Sequence, residues 1–293
     1  MTSNLSIRPS PIAGTWYPGN PKSLSQAVDE YINLAELPEL PGELVAVIAP
    51  HAGHSYSGPV AGYAFGAVRE EMNRRAALGT SIDLVVIVSP MHQPFFNPLL
   101  TTGHDAYSTP LGNVMVDRNA LQILDQKISS SIGINLTPIT YDSEHSLEIE
   151  LPFLQRVLPN GFKLLPVMVR AQSLKLSLAL GEALGEVLQG KNNLLVGSTD
   201  LSHFYPQEQA REYDAVMLNA WEHFSPEDCF QVEQEGKGFA CGLGALTTVL
   251  AASRQLGADT VKILHHATSG DVTGELSSVV GYGAAAIMKS PRK

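Results

Sequence analysis

Three apolar runs in this chain end on residues able to do chemistry. Glu43–Pro50 (ELVAVIAP) runs directly into His51, Ile82–Pro90 (IDLVVIVSP) runs through Met91 into His92, and Asn193–Thr199 (NLLVGST) runs into Asp200 and then His203. Nearly continuous apolar runs of this length are typical of strands buried on both faces. In an open α/β sheet, ligands bind beyond the carboxyl ends of the strands. If these strands are parallel neighbours, three imidazoles and a carboxylate converge on one edge, a set suited to metal binding and proton transfer. Taken singly, each residue reads more simply as a loop hydrogen bonder or a helix cap. The pattern's recurrence marks the set.

The flanking segments add candidates. Pro50–Gly58 (PHAGHSYSG) puts His51 in a turn where Gly53 and Gly58 allow close backbone approach. His54 and Tyr56 could line the same crevice, and a surface role fits His54 equally well. Ser198–His203 (STDLSH) spaces Asp200 and His203 so that one helical turn would aim both at one centre, or Asp200 would simply cap that turn. In Asp142–Pro152 (DSEHSLEIELP), Asp142 or Ser143 can cap a helix with Glu144 and Glu148 on one face, His145 beside it and a kink at Pro152. Glu148 and Glu150 then read as a solvated acidic first turn, whereas His145 suits proton transfer. Gly238–Gly244 (GFACGLG) sets Cys241 at the start of the last helix, where thiolate is favoured, although a small buried Cys is also ordinary packing. Cys229, in PEDCFQVEQ, reads as packing.

The elements that must position these groups alternate along the chain. Lys163–Arg170 and Val261–Leu264 read as further strands, and Ser278–Met288 as another with an ambiguous alanine run. Asn20 can cap a helix opened by Pro21, with Leu24, Ala27, Val28, Tyr31 and Ile32 on one face. Pro59 opens a second helix, Ser173–Gln189 forms a third, and Pro206 begins a fourth with Tyr213, Met217, Ala220, Trp221 and Phe224 as its stripe. Ser225-Pro226 restarts the helical pattern. The last helix leads from about Phe239 to Leu256, stopped by Gly257. His92–Asn113, rich in Pro, Gly and aromatics, reads as a long functional loop. Without linker or repeat, residues 1–293 read as one three-layer α/β domain, a mostly parallel or mixed central sheet with helices on both faces.

Composition narrows the partners. The 293 residues hold 19 Lys and Arg against 29 Asp and Glu, a formal charge of −10 that disfavours nucleic acid and anionic membrane surfaces. Only 16% are charged, below the usual quarter, which points to a subunit interface and a homo-oligomer. No apolar run approaches the roughly 20 residues of a spanning helix. The opening MTSNLSIRPSP lacks the features of a signal peptide, and two cysteines make no disulfide framework, so a cytoplasmic protein is expected.

Seven segments in order resemble the Memo family: Ala13–Tyr17 (AGTWY), PHAGHSYSG, SPMH, Tyr107–Gly112 (YSTPLG), Glu144–Leu154 (EHSLEIELPFL), STDLSH and ACG. The resemblance spans about residues 8–287, and Thr268–Tyr282 looks like the prokaryotic branch. It implies a fold related to the class III extradiol dioxygenases, with a metal pocket on His51, His92 and Cys241 and with Asp200, His203 and His145 nearby. Eukaryotic members are described as iron- or copper-binding redox proteins and phosphopeptide-binding adaptors; prokaryotic ones are often encoded beside a radical-SAM protein, a possible partner by resemblance. Class III enzymes use two His and a carboxylate on Fe(II); here Cys241 takes the carboxylate's place, which puts ring cleavage in doubt. Gln93 stands where a second His is common in the family, and Leu201 where an aromatic is.

The expectation is therefore a metal-dependent, dioxygenase-like oxidoreductase acting on a small molecule. His51, His92 and Cys241 would hold one first-row ion, Fe(II) or Cu ahead of Zn. His145 would shuttle protons, with Asp200 and His203 orienting it or binding substrate oxygen. Glu144, His54 and Tyr56 would support the ligands or line the substrate pocket. The rivals are a non-catalytic (phospho)peptide- or anion-binding module, with His203 and Arg170 as local cations, and a zinc hydrolase.

Overall fold

In the computed structural model, residues 5–158 and 161–291 are described; the opening residues used in the signal-peptide reading lie partly outside them. The strands are β1 (Ile7–Arg8), β2 (Glu43–Ala49), β3 (Leu84–Pro90), β4 (Leu99–Thr102), β5 (Ala106–Thr109), β6 (Gly112–Met115), β7 (Thr137–Ile139), β8 (Lys163–Val169), β9 (Asn193–Ser198), β10 (His203–Tyr205), β11 (Thr260–Thr268) and β12 (Val279–Lys289). The helices are α1 (Pro21–Leu34), α2 (His54–Ala77), α3 (Arg118–Ile132), α4 (Leu151–Val157), α5 (Leu174–Leu188), α6 (Gln207–Glu222), α7 (Pro226–Gln234), α8 (Leu243–Gln255) and α9 (Ser269–Thr273).

The large sheet runs β10-β12-β2-β9-β3-β8-β4-β7, with β11 on β12. Its centre is parallel: Ala49 of β2 lies beside Ser198 of β9, and Val88 of β3 beside Gly197. The outer pairs β12–β2 and β8–β4 are antiparallel, so the sheet is mixed. Every residue of β3 and β9 is buried, which requires cover on both faces. Helix α8, with α5 behind it, packs against β3 and β9, while α2, with α1 and α4, lies against β2 and β12. The buried apolar side chains form one continuous cluster. Among the described residues, no helix is long and apolar enough to cross a membrane.

This topology aligns the chemistry. His51, Asp200 and His92 come just after the ends of β2, β9 and β3, three adjacent parallel strands, so they emerge together at one edge. The expected convergence of strand ends is met.

Four local expectations are corrected. The second helix starts at His54, not Pro59; His54 N–H is satisfied by the Trp16 carbonyl at 2.8 Å, so the chain turns helical at once and Pro59 removes one later bond. The 92–113 stretch is a loop only as far as residue 98: beyond it β4 pairs with β8 and β7, and β5 forms a small sheet with β1 and β6, pairings that local pattern does not carry. Residues 200–203 make no helical turn, because Leu201 N–H donates to Gly281 O and Gly281 N–H to Ser202 O, extending the chain beside β12. No capped helix opens at Asp142 or Ser143. Asp142 accepts from the Glu144 N–H at 3.1 Å in a tight turn, a single 3-10 turn spans Glu148–Glu150, and α4 comes next with Pro152 in its tolerated first turn.

Candidate metal centre

The edge carries two groups of donor atoms close enough for one ion, and they share His51. One is His51, His92 and His145; the other is His51, Asp200 and Cys241, with ligand atoms within 4.8 Å of one another in each. His92 and Cys241 fall in different groups. The three imidazoles cluster with ring centroids 4.9–5.5 Å apart, His92 and His145 stacked nearly parallel at 12°.

Each candidate ligand is oriented from behind. His92 Nδ1 lies 3.0 Å from Glu144 Oε1, and its backbone N–H donates to Oε2 at 2.6 Å. The same carboxylate accepts the N–H groups of His145 at 2.9 Å and Ser146 at 3.0 Å. Burial opposes its charge, but the His92 ring and these N–H donors outweigh that and hold Glu144 well below the usual carboxylate range. An ionised Glu144 takes the Nδ1–H of His92 and leaves the Nε2 lone pair free, the arrangement that fixes ligand histidines in metal sites.

His51 is buried, and its Nδ1 lies 2.9 Å from Ser198 Oγ. Its Nε2 is 3.1 Å from Cys241 Sγ, which also accepts the Asp200 N–H at 3.2 Å. Burial pushes the Cys241 thiol up, Asp200's charge adds to this, and the sulfur is a thiol in the metal-free protein. Burial and the neighbouring imidazoles hold His51 well below its ordinary range, so it is neutral. The thiol proton thus sits between Sγ and Nε2, where a metal ion would replace it, and the donor set fits such an ion. Cys241 reaches this position because Gly242 has no side chain; a Cβ there would collide with the Ser198 carbonyl.

Asp200 fastens the corner: its Oδ1 accepts the His51 N–H at 2.7 Å, and burial still pushes its pKa up to about 7. His145 lies with its ring centroid 4.0 Å from that of Trp16, Nδ1 3.3 Å from Glu144, its pKa pushed down to about 4 by burial. His203 Nδ1 lies 2.9 Å from Leu201 O, and burial lowers its pKa too.

One expected residue lies elsewhere, and another lines a pocket beside the crevice. His54 sits in the core with its ring centroid 4.8 Å from that of Phe153 and Nε2 3.0 Å from Ile149 O, so it faces aromatic packing and not the crevice. Its surface reading fails as well, at 2% exposure. Tyr56 lines a neighbouring apolar pocket of about 430 Å³ with Trp16, Phe204, Val280 and Tyr282. Phe204 is held there at φ 65°, a conformation rare for a large side chain.

Sequence reasoning missed the support. Glu148 and Glu150 are buried, not a solvated first turn. Arg8 is buried too; it meets Asp142 and Glu148 at 2.5 Å each and donates to Glu144 O at 2.8 Å. Ser198 lies inside the STDLSH motif, where its type alone suggests no role. The available signal was slight: acidic residues interleaved with Leu147, Ile149, Leu151 and Phe153 in a run too apolar for a solvated face.

Residues 8–286 match the family described as Memo-like protein. A MEMO1 family protein of Nitrosopumilus maritimus is 32% identical over 282 residues, 95% of this chain and 98% of that one. Those of Methanopyrus kandleri and Aquifex aeolicus are each 31% identical, covering 93% and 95% of this chain and 96% and 98% of theirs. The crystal structure of an uncharacterized Escherichia coli K12 protein is a distant match, with 13% identity and a TM-score of 0.46 over 83% of this chain and 99% of that one. With the resembling motifs now assembled at one edge of the sheet and the match running nearly end to end, the chain belongs to the Memo family.

Proposed function

We propose that this protein is a metal-dependent oxidoreductase, with His51, His92 and Cys241 holding one first-row ion at the sheet edge. The observation that supports it is His51, shared by both donor groups, its Nε2 aimed at Cys241 and its Nδ1 tied back to Ser198. Two imidazoles and a thiolate suit Fe(II) or Cu, with Zn compatible as a redox-inert occupant, and iron or copper when bound would supply the one-electron chemistry.

The chain's own residues prepare for it. Glu144 fixes the His92 tautomer, and Asp200 anchors the His51 backbone while it holds its N–H toward the sulfur. His145 is neutral at pH 7 and is placed to take up a proton from a substrate in the crevice. The apolar pocket beside Trp16 and Tyr56 is large enough for a small organic molecule. Metal analysis of anaerobically purified protein is expected to find about one first-row ion per chain, lost in His51→Ala. Failure to bind any under reducing or oxidising conditions overturns the reading; turnover of an ester or amide with zinc, indifferent to oxygen, redirects it to hydrolysis.

A further inference from the structure

Behind the His51 side of the centre lies a buried carboxyl group that the proposed chemistry does not use. Glu150 is 1% exposed, forms no ion pair among the described residues, and leaves Oε2 without a hydrogen-bond partner. The charged group nearest in effect is Asp200, of like sign. Arg8, which reaches the same segment, is engaged by Asp142 and Glu148.

Among the described residues its one hydrogen-bond partner is Ser198 Oγ, and that oxygen has three polar neighbours: Ser146 O at 2.6 Å, His51 Nδ1 at 2.9 Å and Glu150 Oε1 at 3.0 Å. A hydroxyl brings one hydrogen and two lone pairs. A carbonyl only accepts, so at 2.6 Å the Ser198 hydrogen must lie on Ser146 O. Both remaining contacts must then donate to Ser198. His51 does so from Nδ1–H, which leaves Nε2 with the lone pair. Glu150 can do so only as a carboxylic acid. A carboxylate in this place would be an unpaired buried charge, which proteins avoid by neutralising the group.

We infer that Glu150 is a neutral carboxylic acid whose O–H donates to one lone pair of Ser198, while Ser198, its hydrogen held on Ser146 O, takes the His51 Nδ1–H on the other and so positions that ring. Burial acts in the same direction, pushing Glu150 well above the ordinary carboxylate range. The relay Glu150–Ser198–His51 is complete in the metal-free chain, so it stands or falls independently of which ion the centre binds.

Infrared spectroscopy of the metal-free full-length protein at pH 7 tests it. The expected spectrum shows a protonated-carboxyl C=O band that shifts in D₂O, moves with ¹³C-glutamate labelling and disappears in Glu150→Gln. In Ser198→Ala the band persists but rises in frequency, because the acid has lost its acceptor. Nitrogen-15 NMR should find His51 as Nδ1–H in the unmutated protein and in Glu150→Gln, whose amide N–H can still donate, and mixed in Ser198→Ala. A spectrum with no glutamate-sensitive band that responds to either substitution overturns the inference. Labelling and Ser198→Ala decide the matter even where Glu150→Gln fails to fold. A His51 that carries its proton on Nε2 overturns it equally.

Discussion

Glu144 and Glu150 lie six positions apart on one segment, both almost fully buried, and by the reading above one is ionised and the other neutral. Glu144 receives the His92 ring and three backbone N–H groups, enough to keep it ionised in spite of its burial. Glu150 meets a single hydroxyl whose hydrogen is already committed elsewhere. Burial alone therefore does not decide whether a carboxyl group is charged. The number of hydrogens aimed at it does. One glutamate faces its histidine as an anion, the other through a hydroxyl as an acid, and both outcomes leave an Nε2 lone pair toward the centre.

The largest effect that could break this contrast is on metal affinity. Glu144→Ala should weaken binding by roughly ten- to a hundredfold, the usual cost of losing a group that orients a ligand, measured by titration against a competing chelator. Glu150→Gln should change it far less, because the amide still donates to Ser198. Equal losses would mean that both glutamates act through charge.

Stability against pH separates the pair next. Glu150 has its folded pKa raised above the unfolded value, so the folded state holds more protons in the window between the two, and stability falls as pH rises through it. Asp200, the charged group facing it, is raised to about 7 and acts with the same sign. Chemical denaturation from pH 4 to 8 should show Glu150→Gln gaining on the unmutated protein by about 1.4 kcal/mol per pH unit across Glu150's window, on top of any constant offset. Glu144, with its pKa lowered, works in the opposite sense: its contribution is present above the unfolded pKa and lost as pH falls.

A smaller signal is the proton that the metal displaces from Cys241. Calorimetry in buffers of different ionisation enthalpy should find about one proton released per ion at pH 7, absent in Cys241→Ser if that variant still binds. The smallest concerns the turn that carries Glu150. His54→Phe removes the hydrogen bond to Ile149 O and should cost about 1 kcal/mol of stability, leaving the metal content unchanged. A lost ion would place His54 closer to the centre than its aromatic packing indicates.

The contrast also marks what a sequence discloses. The apolar runs before His51, His92 and Asp200 announce buried strands, and parallel strands of that kind deliver the residues at their carboxyl ends to a shared edge. The 142–150 segment does not announce itself, because its shape is set by Arg8, more than a hundred positions away, and by Pro90 O, which accepts the Ser146 hydroxyl at 2.7 Å. Spacing suggests a capped helix there, and long-range ion pairing imposes an irregular turn. The same cause hid the support for His51: Ser198 and Glu150 meet across 48 positions. Cys241 was legible as a residue but not in its place, which depends on the approach of Gly242 to Ser198 O.

Arg8 gives the chain's opening stretch an unexpected reach. By gripping Asp142, Glu148 and the Glu144 carbonyl, it latches the turn on which the carboxyl groups behind both histidines are mounted. Trimming the chain past that arginine would spare every strand of the large sheet, yet it would unfasten the scaffold of the candidate metal site.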